Sequence, residues 1–313
     1  MKILFYSPQD DAADYLRDLS NALPDAQFRE WHPGDTAHAD IAIVWQPVPD
    51  VFAGRDDLRA VFNLGAGVDA ILALERAHPG TLPRHAQLVR LEDSGMGAQM
   101  IEYVTYAVLR YMRRFDRYDA QQTESRWQVV DAWPSATFTV GVLGMGVLGA
   151  QVAKALAQFG MPVRGFSRSA REIEGIETFH GEAQFNAFLD GVKVLVNLLP
   201  HTPDTRGVLN AQTFSALANG AYLINVARGA HLVEQDLLDA LASGQLAAAT
   251  LDVFHQEPLP ATHPFWQHPH ITVTPHSSAR TLRAQAVQQI ARKIDALSRG
   301  EPLSGVVDPT RGY

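Results

Sequence analysis

Residues Thr137–Gly149 read TFTVGVLGMGVLG, an apolar β-branched run followed at once by a glycine-rich turn. The run predicts a short buried strand. An apolar stripe then recurs at helical spacing, and Gly160 is placed to end that helix; the stripe consists of Leu148, Val152, Leu156 and Phe159. Residues 162–167 predict a second strand. Together these segments form the strand–turn–helix–strand unit in which a G-x-G-x-x-G match indicates dinucleotide binding.

Each glycine of the turn has a physical task in such a site. Gly144 permits the tight turn, Gly146 leaves room for a pyrophosphate, and Gly149 lets the helix pack close to the sheet. The free N–H groups at the start of the helix attract phosphate. We therefore expect the cofactor at Gly144, Met145, Gly146, Val147, Leu148 and Gly149.

The end of the second strand indicates which dinucleotide is bound. NAD-binding units usually carry an acidic residue there for the ribose 2′-hydroxyl. This chain has Ser167, Arg168 and Ser169 instead, with Arg171 nearby and no acid before Glu172. A guanidinium and two hydroxyls suit a 2′-phosphate, so we expect NADP(H) in preference to NAD(H). The alternative is that the two arginines only solvate a loop.

Composition limits the remaining classes. The chain has 313 residues, 46% hydrophobic and 19% charged, enough for two domains. A net charge of −8 argues against a nucleic-acid partner, and the absence of cysteine excludes disulfides and thiolate metal sites. No apolar run is long enough for a membrane span. We expect a cytoplasmic protein with no membrane association.

The order of predicted elements gives an α/β fold class. Four strands are predicted in the N-terminal part, near residues 2–6, 40–45, 60–64 and 87–91. Six more follow near residues 138–143, 163–167, 194–198, 221–226, 248–252 and 271–274. We therefore expect two Rossmann-like domains, in which a six-stranded parallel dinucleotide-binding sheet is inserted into a smaller flavodoxin-like substrate domain.

Two long helices are expected to mark the domain connections. They are predicted at about 99–115 and 279–298, and a polar segment, 116–134, separates the first from the glycine-turn strand. The tail from Gly300 is expected to complete the first domain. We predict a substrate domain of residues 1–100 plus 285–313 and a dinucleotide domain of 101–284, with closure about the two connections.

Three polar motifs follow predicted strands of the second domain, where a parallel sheet places its ligand crevice. They read NVARG at 225–229, LDVFHQEP at 251–258 and TPHSSA at 274–279. With these motifs, the chain resembles the D-isomer-specific 2-hydroxyacid dehydrogenase family over essentially its whole length. Within that family it is most similar to the branch that reduces glyoxylate and hydroxypyruvate; the supporting residues are Trp45, 64–69, 94–97, 167–169, 256–260 and 311–313.

The resemblance implies three catalytic residues, and their chemistry suits a reductase of small 2-oxo acids. Arg228 is expected to bind the substrate carboxylate and polarise the carbonyl. His276 is expected to protonate the carbonyl oxygen. Glu257 is expected to orient the His276 ring and favour its protonated form.

The resemblance also implies the lining of both ligand sites. Cofactor contacts are expected from Leu199, Pro200, Thr205, Val226, Ala227, Asp252 and Ser278. Substrate contacts are expected from Trp45, from an N–H nest at Gly65, Ala66 and Gly67, and from Arg280, in addition to Arg228 and His276. Relatives usually carry small residues after the histidine, a pattern that residues 277–279 fit only loosely.

Several alternatives stay open at this stage. The substrate is a small 2-oxo acid or a larger 2-keto acid, and some members of the family are non-catalytic corepressors. Residues 255–276 contain five histidines, including those at both ends, but their spacing matches no zinc motif, so we expect no metal. The resemblance implies a homodimer through the dinucleotide domain, with Trp127 and Trp133 of segment 116–134 in the contact.

Overall fold

The computed structural model describes residues 1–9 and 12–308. The chain divides into two compact units: unit 1 is Met1–Gly95 with Thr281–Tyr313, and unit 2 is Met96–Arg280. Both divisions lie a few residues before the expected positions at residues 100 and 285. The first falls at the start of a helix rather than inside it, because that helix begins earlier than the apolar periodicity indicates.

The described residues form twelve strands and nine α-helices. The strands are β1 Lys2–Tyr6, β2 Gln27–Glu30, β3 Ile41–Val44, β4 Ala60–Asn63, β5 Gln87–Val89, β6 Val140–Leu143, β7 Val163–Ser167, β8 Glu177–His180, β9 Val194–Asn197, β10 Ala221–Asn225, β11 Leu246–Leu251 and β12 Ile271–Val273. The helices are α1 Ala12–Ala22, α2 Asp69–Ala77, α3 Met96–Met112, α4 Phe115–Thr123, α5 Val147–Ala157, α6 Phe185–Leu189, α7 Ala211–Ser215, α8 Glu234–Ser243 and α9 Arg283–Ser298.

Unit 1 contains a five-stranded parallel sheet in the order β2-β1-β3-β4-β5. This is the flavodoxin-like order, as expected. Strands β3 and β4 are buried along their whole length. Strand β2 was not among the predicted strands, because its sequence QFRE is polar and it lies half-exposed at the sheet edge.

The C-terminal segment completes unit 1. Helix α9 packs its buried Ala286, Ile290 and Ile294 into the core beneath this sheet. It begins at Arg283, not near 279 as predicted, and Leu282 is 42% exposed at its N-cap. The tail then runs beside β5: Val307 N–H donates to the Leu88 carbonyl at 2.8 Å. The tail is thus hydrogen-bonded to this sheet at Val307, whereas residues 309–313 lie outside the described part.

Unit 2 contains a seven-stranded parallel sheet in the order β12-β11-β10-β9-β6-β7-β8. From β8 through β11 it has the arrangement 3-2-1-4-5-6 of a dinucleotide-binding sheet, and β12 extends the far edge. The prediction of six strands was wrong by one, because β8 was missed. Its sequence ETFH lacks a buried apolar run, and only pairing with β7 makes it a strand.

Helices in unit 2 differ from the sequence predictions at several boundaries. Helix α3 spans 96–112 rather than 99–115, and α4 occupies part of the polar segment 116–134, for which no helix was predicted. Helix α5 ends at Ala157, so Phe159 lies beyond it and is 46% exposed. Phe159 therefore does not belong to the buried stripe.

Both faces of the seven-stranded sheet are covered by apolar side chains. Helices α3 and α5 cover one face together with buried residues such as Val152 and Leu156. Helices α6, α7 and α8 contribute to the cluster on the other face, which includes Phe188, Phe214 and Leu237. Among the described residues, no helix is both long and apolar enough to cross a membrane.

Candidate active site

The glycine turn after β6 has the geometry that its sequence predicts. Gly144 has φ +95°, and a Cβ there would lie 2.6 Å from the Leu198 carbonyl oxygen. A Cβ on Gly149 would lie 1.9 Å from the Gly144 carbonyl oxygen. Both positions exclude every residue larger than glycine, so the turn and the close start of α5 depend on them.

Gly146 differs from its two neighbours because a Cβ there would meet nothing within 4 Å. It is the N-cap of α5 and provides no side-chain cap, which leaves the first-turn N–H groups for another acceptor. Open space at the positive end of a helix suits a diphosphate, so the residues present fit a dinucleotide. Met145, in contrast, is buried against Gly165, while Val147 is 43% exposed and Leu148 is half-buried.

The end of β7 lies beside this turn, since β6 and β7 are paired. Ser167 is buried and its hydroxyl donates to the Ser169 carbonyl at 2.8 Å, which shapes the loop. Arg168 and Ser169 are exposed. The loop thus presents a cation at the position where dinucleotide-binding sheets contact the adenosine ribose.

The loop after β9 is tied together by the Thr205 hydroxyl. This hydroxyl donates to the Pro200 carbonyl at 2.7 Å and accepts from the Thr202 N–H at 2.9 Å. Leu199 and Pro200 are half-buried. The expected cofactor-lining residues of this loop therefore lie together at the carboxyl edge of the sheet.

Arg228 follows β10 in a loop that approaches the loop of Glu257. A Cβ on Gly229 would lie 1.9 Å from the Phe254 carbonyl carbon, so only glycine allows this approach. Val226 and Ala227 are buried beneath Arg228, whose guanidinium donates to the Ala227 carbonyl at 2.6 Å. The requirement for Gly229 was not recognised in the sequence, although it stands in the quoted motif.

Glu257 and His276 form the expected pair. The His276 Nδ1 lies 2.7 Å from Glu257 Oε2, and the Phe254 N–H donates to Oε1 at 2.9 Å. Because a carboxylate only accepts, Nδ1 carries the proton and Nε2 is the nitrogen left to face a substrate. Partial burial opposes ionisation of Glu257, but the hydrogen bonds from His276 and Phe254 outweigh it and lower the pKa of Glu257 below its ordinary value.

Asp252 holds the backbone of the His276 loop. Its buried carboxylate accepts from the N–H groups of Ser277 and Ser278, both at 2.9 Å, and from the Thr274 hydroxyl at 2.6 Å. His276 has φ +50°, a conformation that is costly for a residue with a Cβ and must be imposed by such contacts. The structure gives Asp252 this task within the chain, while its expected contact with the cofactor stays a prediction.

Tyr103 on α3 extends this network and was not recognised in the sequence. Its hydroxyl lies 2.5 Å from the Thr274 hydroxyl oxygen, and burial raises the pKa of Tyr103 to about 12. Since Thr274 already donates to Asp252, Tyr103 must be the donor to Thr274. The sequence of α3 shows only apolar residues at helical spacing, and this pattern does not indicate that one of its tyrosines contacts the end of a strand.

Arg280 lies at the last position of unit 2 and is exposed. Its backbone is fixed by the side chain of Gln99, which accepts from the Arg280 N–H at 3.2 Å and donates to its carbonyl at 2.8 Å. The expected substrate role of its guanidinium stays a prediction.

Within unit 1, Trp45 and the Gly65–Gly67 segment lie in contact. A Cβ on Gly65 would lie 2.6 Å from the Trp45 ring. The Asn63 amide donates to the carbonyls of Gly65 and Gly67, both at 2.9 Å, and so turns these oxygens inward. In the described part of the chain the N–H groups of 65–67 have no acceptor, as an anion nest requires. Asn63 was missed because a strand-end asparagine has no distinctive spacing.

The histidines of residues 255–276 make separate local contacts. His255 lies 2.8 Å from the Leu232 carbonyl, and His263 lies 3.3 Å from Glu234. Among the described residues, no group of three or more His, Asp or Glu side chains is arranged to hold a metal ion.

The second sheet, its glycine turn and the Glu257–His276 pair define a dinucleotide-dependent dehydrogenase class. Residues 105–278 match the family model described as D-isomer specific 2-hydroxyacid dehydrogenase, NAD binding domain. The chain belongs to this family, as its motifs indicated.

Similar proteins cover the whole chain. The glyoxylate/hydroxypyruvate reductase A of Serratia proteamaculans is 56% identical over 313 residues, all of both chains, and that of Yersinia enterocolitica is 52% identical over the same length. A solved D-isomer specific 2-hydroxyacid dehydrogenase from Xanthobacter autotrophicus, in complex with NADPH and MES, has a TM-score of 0.93 at 39% identity, covering 100% of this chain and 99% of its own. An NADPH-dependent glyoxylate/hydroxypyruvate reductase from Sinorhizobium meliloti, in complex with NADP and sulfate, has a TM-score of 0.91 at 36% identity and the same coverage.

Proposed function

We propose that this protein is an NADPH-dependent reductase of small 2-oxo acids, converting glyoxylate to glycolate and hydroxypyruvate to D-glycerate. The observation that carries the proposal is the 2.7 Å contact between His276 Nδ1 and Glu257, which leaves Nε2 as an acid at the edge of a dinucleotide-binding sheet. Relatives that are 50–56% identical over the full chain carry this activity in their names.

Arg228 binds the 2-oxo acid. Its planar guanidinium pairs with the substrate carboxylate through two parallel hydrogen bonds and draws electron density from the adjacent carbonyl. Gly229 keeps this arginine close to the loop that carries Glu257. Within unit 1, the N–H groups of Gly65, Ala66 and Gly67 remain the predicted donors for a carboxylate, and Trp45 remains the predicted limit on the size of the acid.

His276 is the general acid of the reduction. Its Nε2–H gives a proton to the carbonyl oxygen while the carbonyl carbon accepts a hydride, so the product is a 2-hydroxy acid and the proton is replaced from solvent. Glu257 holds Nδ1–H throughout, which fixes the ring and stabilises its positive charge before transfer. In the oxidation direction the neutral ring takes the proton back.

The nicotinamide cofactor supplies the hydride when bound, and the chain supplies its orientation. Gly146 and the first turn of α5 would hold the diphosphate. Arg168, with Ser167 and Ser169, would hold the 2′-phosphate, because a guanidinium pairs well with a dianion and no acid stands at this position. Leu199, Pro200, Val226 and Ala227 would line the remainder.

The test of function follows absorbance at the reduced-nicotinamide band with glyoxylate or hydroxypyruvate, run in parallel with NADPH and NADH. Faster loss of NADPH supports both the reaction and the role of Arg168. Equal or faster loss of NADH overturns the phosphate assignment and leaves the reaction class. If only larger 2-keto acids react, the substrate assignment is wrong. If the cofactor binds but no 2-oxo acid reacts, the protein is a non-catalytic, nicotinamide-sensing member of the family, as the corepressors are.

A matched pair of variants tests the dinucleotide site without turnover. Gly146→Ala adds a methyl group into open space, whereas Gly149→Ala adds one 1.9 Å from a carbonyl oxygen. We expect Gly146→Ala to melt like the wild type and to lose NADPH affinity by about tenfold or more, measured by nicotinamide fluorescence. Gly149→Ala should instead lose stability. Unchanged NADPH affinity in Gly146→Ala contradicts the site.

The protein also forms a homodimer through the segment after α4 in this proposal. Trp127 and Val129 are 99% and 81% exposed, an unusual cost for apolar side chains unless a partner covers them. Trp133 is not available in the same way, because it packs on Phe138 and under Arg114. Sedimentation of Trp127→Glu should show monomers, while Trp266→Glu, an exposed control elsewhere, stays dimeric; a monomeric wild type overturns the proposal.

A further inference from the structure

Three polar side chains with no solvent exposure lie together between the two loops that follow β9 and β10. They are Asn197, Asn225 and His231. Asn197 and Asn225 are the last residues of paired strands and stand opposite each other in the register. His231 ends the short turn that follows Arg228. None of the three has a role in the proposed chemistry, and buried polar groups of this kind require complete hydrogen bonding.

Backbone groups determine the orientation of both amides. The Leu199 N–H points at Asn197 Oδ1 at 3.2 Å, so this atom must be the oxygen. The Ala227 N–H points at Asn225 Oδ1 at 3.3 Å, and Asn225 Nδ2 donates to the Arg228 carbonyl at 3.1 Å. Reversing either amide would set donor against donor.

The orientation of Asn197 then determines the protonation of His231. Asn197 Nδ2 has two hydrogens and two neighbours, Asn225 Oδ1 at 3.0 Å and His231 Nδ1 at 2.8 Å. Both neighbours must therefore accept, so Nδ1 carries no proton. The proton lies on Nε2, which donates to the Pro200 carbonyl at 3.2 Å. The ring is neutral and has a single tautomer.

We infer that His231 is a positioning residue that couples the Leu199–Pro200 loop to the loop of Arg228. One ring nitrogen holds the Pro200 carbonyl, which Thr205 also contacts. The other connects through Asn197 and Asn225 to Ala227 N–H and the Arg228 carbonyl. The inference rests on the proposed function in assigning one loop to the cofactor and the other to the substrate.

Two substitutions of His231 each keep the hydrogen bond of one ring nitrogen and remove that of the other. His231→Asn keeps an acceptor near the Nδ1 position and loses the donor to Pro200, so it should weaken NADPH binding by about tenfold and change KM for glyoxylate less. His231→Gln keeps a donor near the Nε2 position and loses the acceptor for Asn197, so it should raise KM for glyoxylate by about tenfold with a smaller effect on NADPH. His231→Leu should show both effects.

The control is His263→Gln, which alters a partly buried histidine of the same unit that contacts Glu234. It should lower the melting temperature, but it should not change NADPH affinity and the KM for glyoxylate to different extents. If the His231 variants behave like this control, or if His231→Asn and His231→Gln change both constants equally, the positioning role is wrong and the network is only structural.

The tautomer is tested in the unliganded protein, so this test does not depend on any activity. Long-range nitrogen–proton correlation of histidine-labelled protein, with the His231 signals identified by their loss in His231→Gln, should show the Nε2–H form at neutral pH. An Nδ1–H form overturns the network. If this test succeeds while no 2-oxo acid is reduced, the function fails and the network stands.

Discussion

The loops of Arg228 and His276 lie at the same edge of one sheet, yet different chemistry holds them. The Arg228 loop is held by two amides and a neutral imidazole, Asn225, Asn197 and His231. The His276 loop is held by two carboxylates, Asp252 and Glu257. A residue that carries a permanent positive charge is thus positioned by neutral groups, and a residue that exchanges a proton is positioned by charged ones.

The difference has a physical reason. Amides fix the backbone beside Arg228 through hydrogen bonds and avoid the cost of burying a further carboxylate under that loop. Beside His276, a carboxylate favours the protonated ring that reduction requires. Each of the following predictions breaks or exchanges one of these arrangements.

The largest effect is expected from removing the acid itself. His276→Gln should lower kcat for glyoxylate reduction by about 10²–10⁴-fold, because no group remains to protonate the carbonyl oxygen. NADPH affinity, measured by nicotinamide fluorescence, should stay near the wild-type value. Near-wild-type kcat would show that another group is the acid.

Exchanging the two chemistries tests the comparison directly. Asn225→Asp places a buried carboxylate against the Arg228 carbonyl and should cost roughly 3–5 kcal/mol of unfolding free energy. Asp252→Asn leaves a backbone N–H facing an amide N–H₂ and should cost about 1–3 kcal/mol.

Denaturant unfolding at two pH values tests the Asn225→Asp variant further. Its cost should shrink as pH falls, because protonation neutralises the introduced buried acid. A cost that stays the same at both pH values would contradict the placement of a buried charge at this position.

Glu257→Gln should have an intermediate effect. We expect kcat/KM for reduction to fall by about 10–100-fold, because the His276 ring loses the charged hydrogen-bond acceptor that orients it. Full activity would remove Glu257 from the mechanism.

The same variant tests the pH dependence of stability. The pKa of Glu257 is lowered on folding, so its pair contributes fully above the ordinary value of 4.5 and is lost as pH falls through the lowered value. The stability difference between wild type and Glu257→Gln should therefore disappear in acid. A difference that grows in acid would reverse the sign of the shift.

The smallest effect is expected at Tyr103, which acts on the His276 loop only through Thr274 and Asp252. With its pKa raised to about 12, the hydroxyl keeps its proton and donates at neutral pH. Tyr103→Phe should cost about 0.5–1.5 kcal/mol of stability and less than tenfold in kcat/KM. Tyr106→Phe, an exposed neighbour on α3, is the control. A Tyr103→Phe variant indistinguishable from this control would exclude Tyr103 from the network.

The sequence alone indicated the two sheets and the glycine turn for which it predicts dinucleotide binding. Buried parallel strands are continuous apolar runs, so β3, β4, β6 and β9 are visible as such. Gly144 and Gly149 meet a steric requirement that no other residue meets, and Gly146 between them leaves open space at the start of α5. The motifs around Arg228, Glu257 and His276 likewise follow strand ends, where open parallel sheets bind their ligands.

Only the tertiary structure decided the edge strands and the support of the site. Strands β2 and β8 lack apolar runs and exist because a neighbouring strand pairs with them. Asn63, Tyr103 and the Asn197–Asn225–His231 network join residues far apart in the chain, and hydrogen-bonded polar groups have no periodicity to reveal them. Burial also gave Asp252 a set of backbone donors that its motif did not indicate. Apolar residues that are buried recur with the period of a helix or strand, so the sequence shows them. The hydrogen-bond partners of a buried polar group lie far away in the chain, so only the folded structure identifies them.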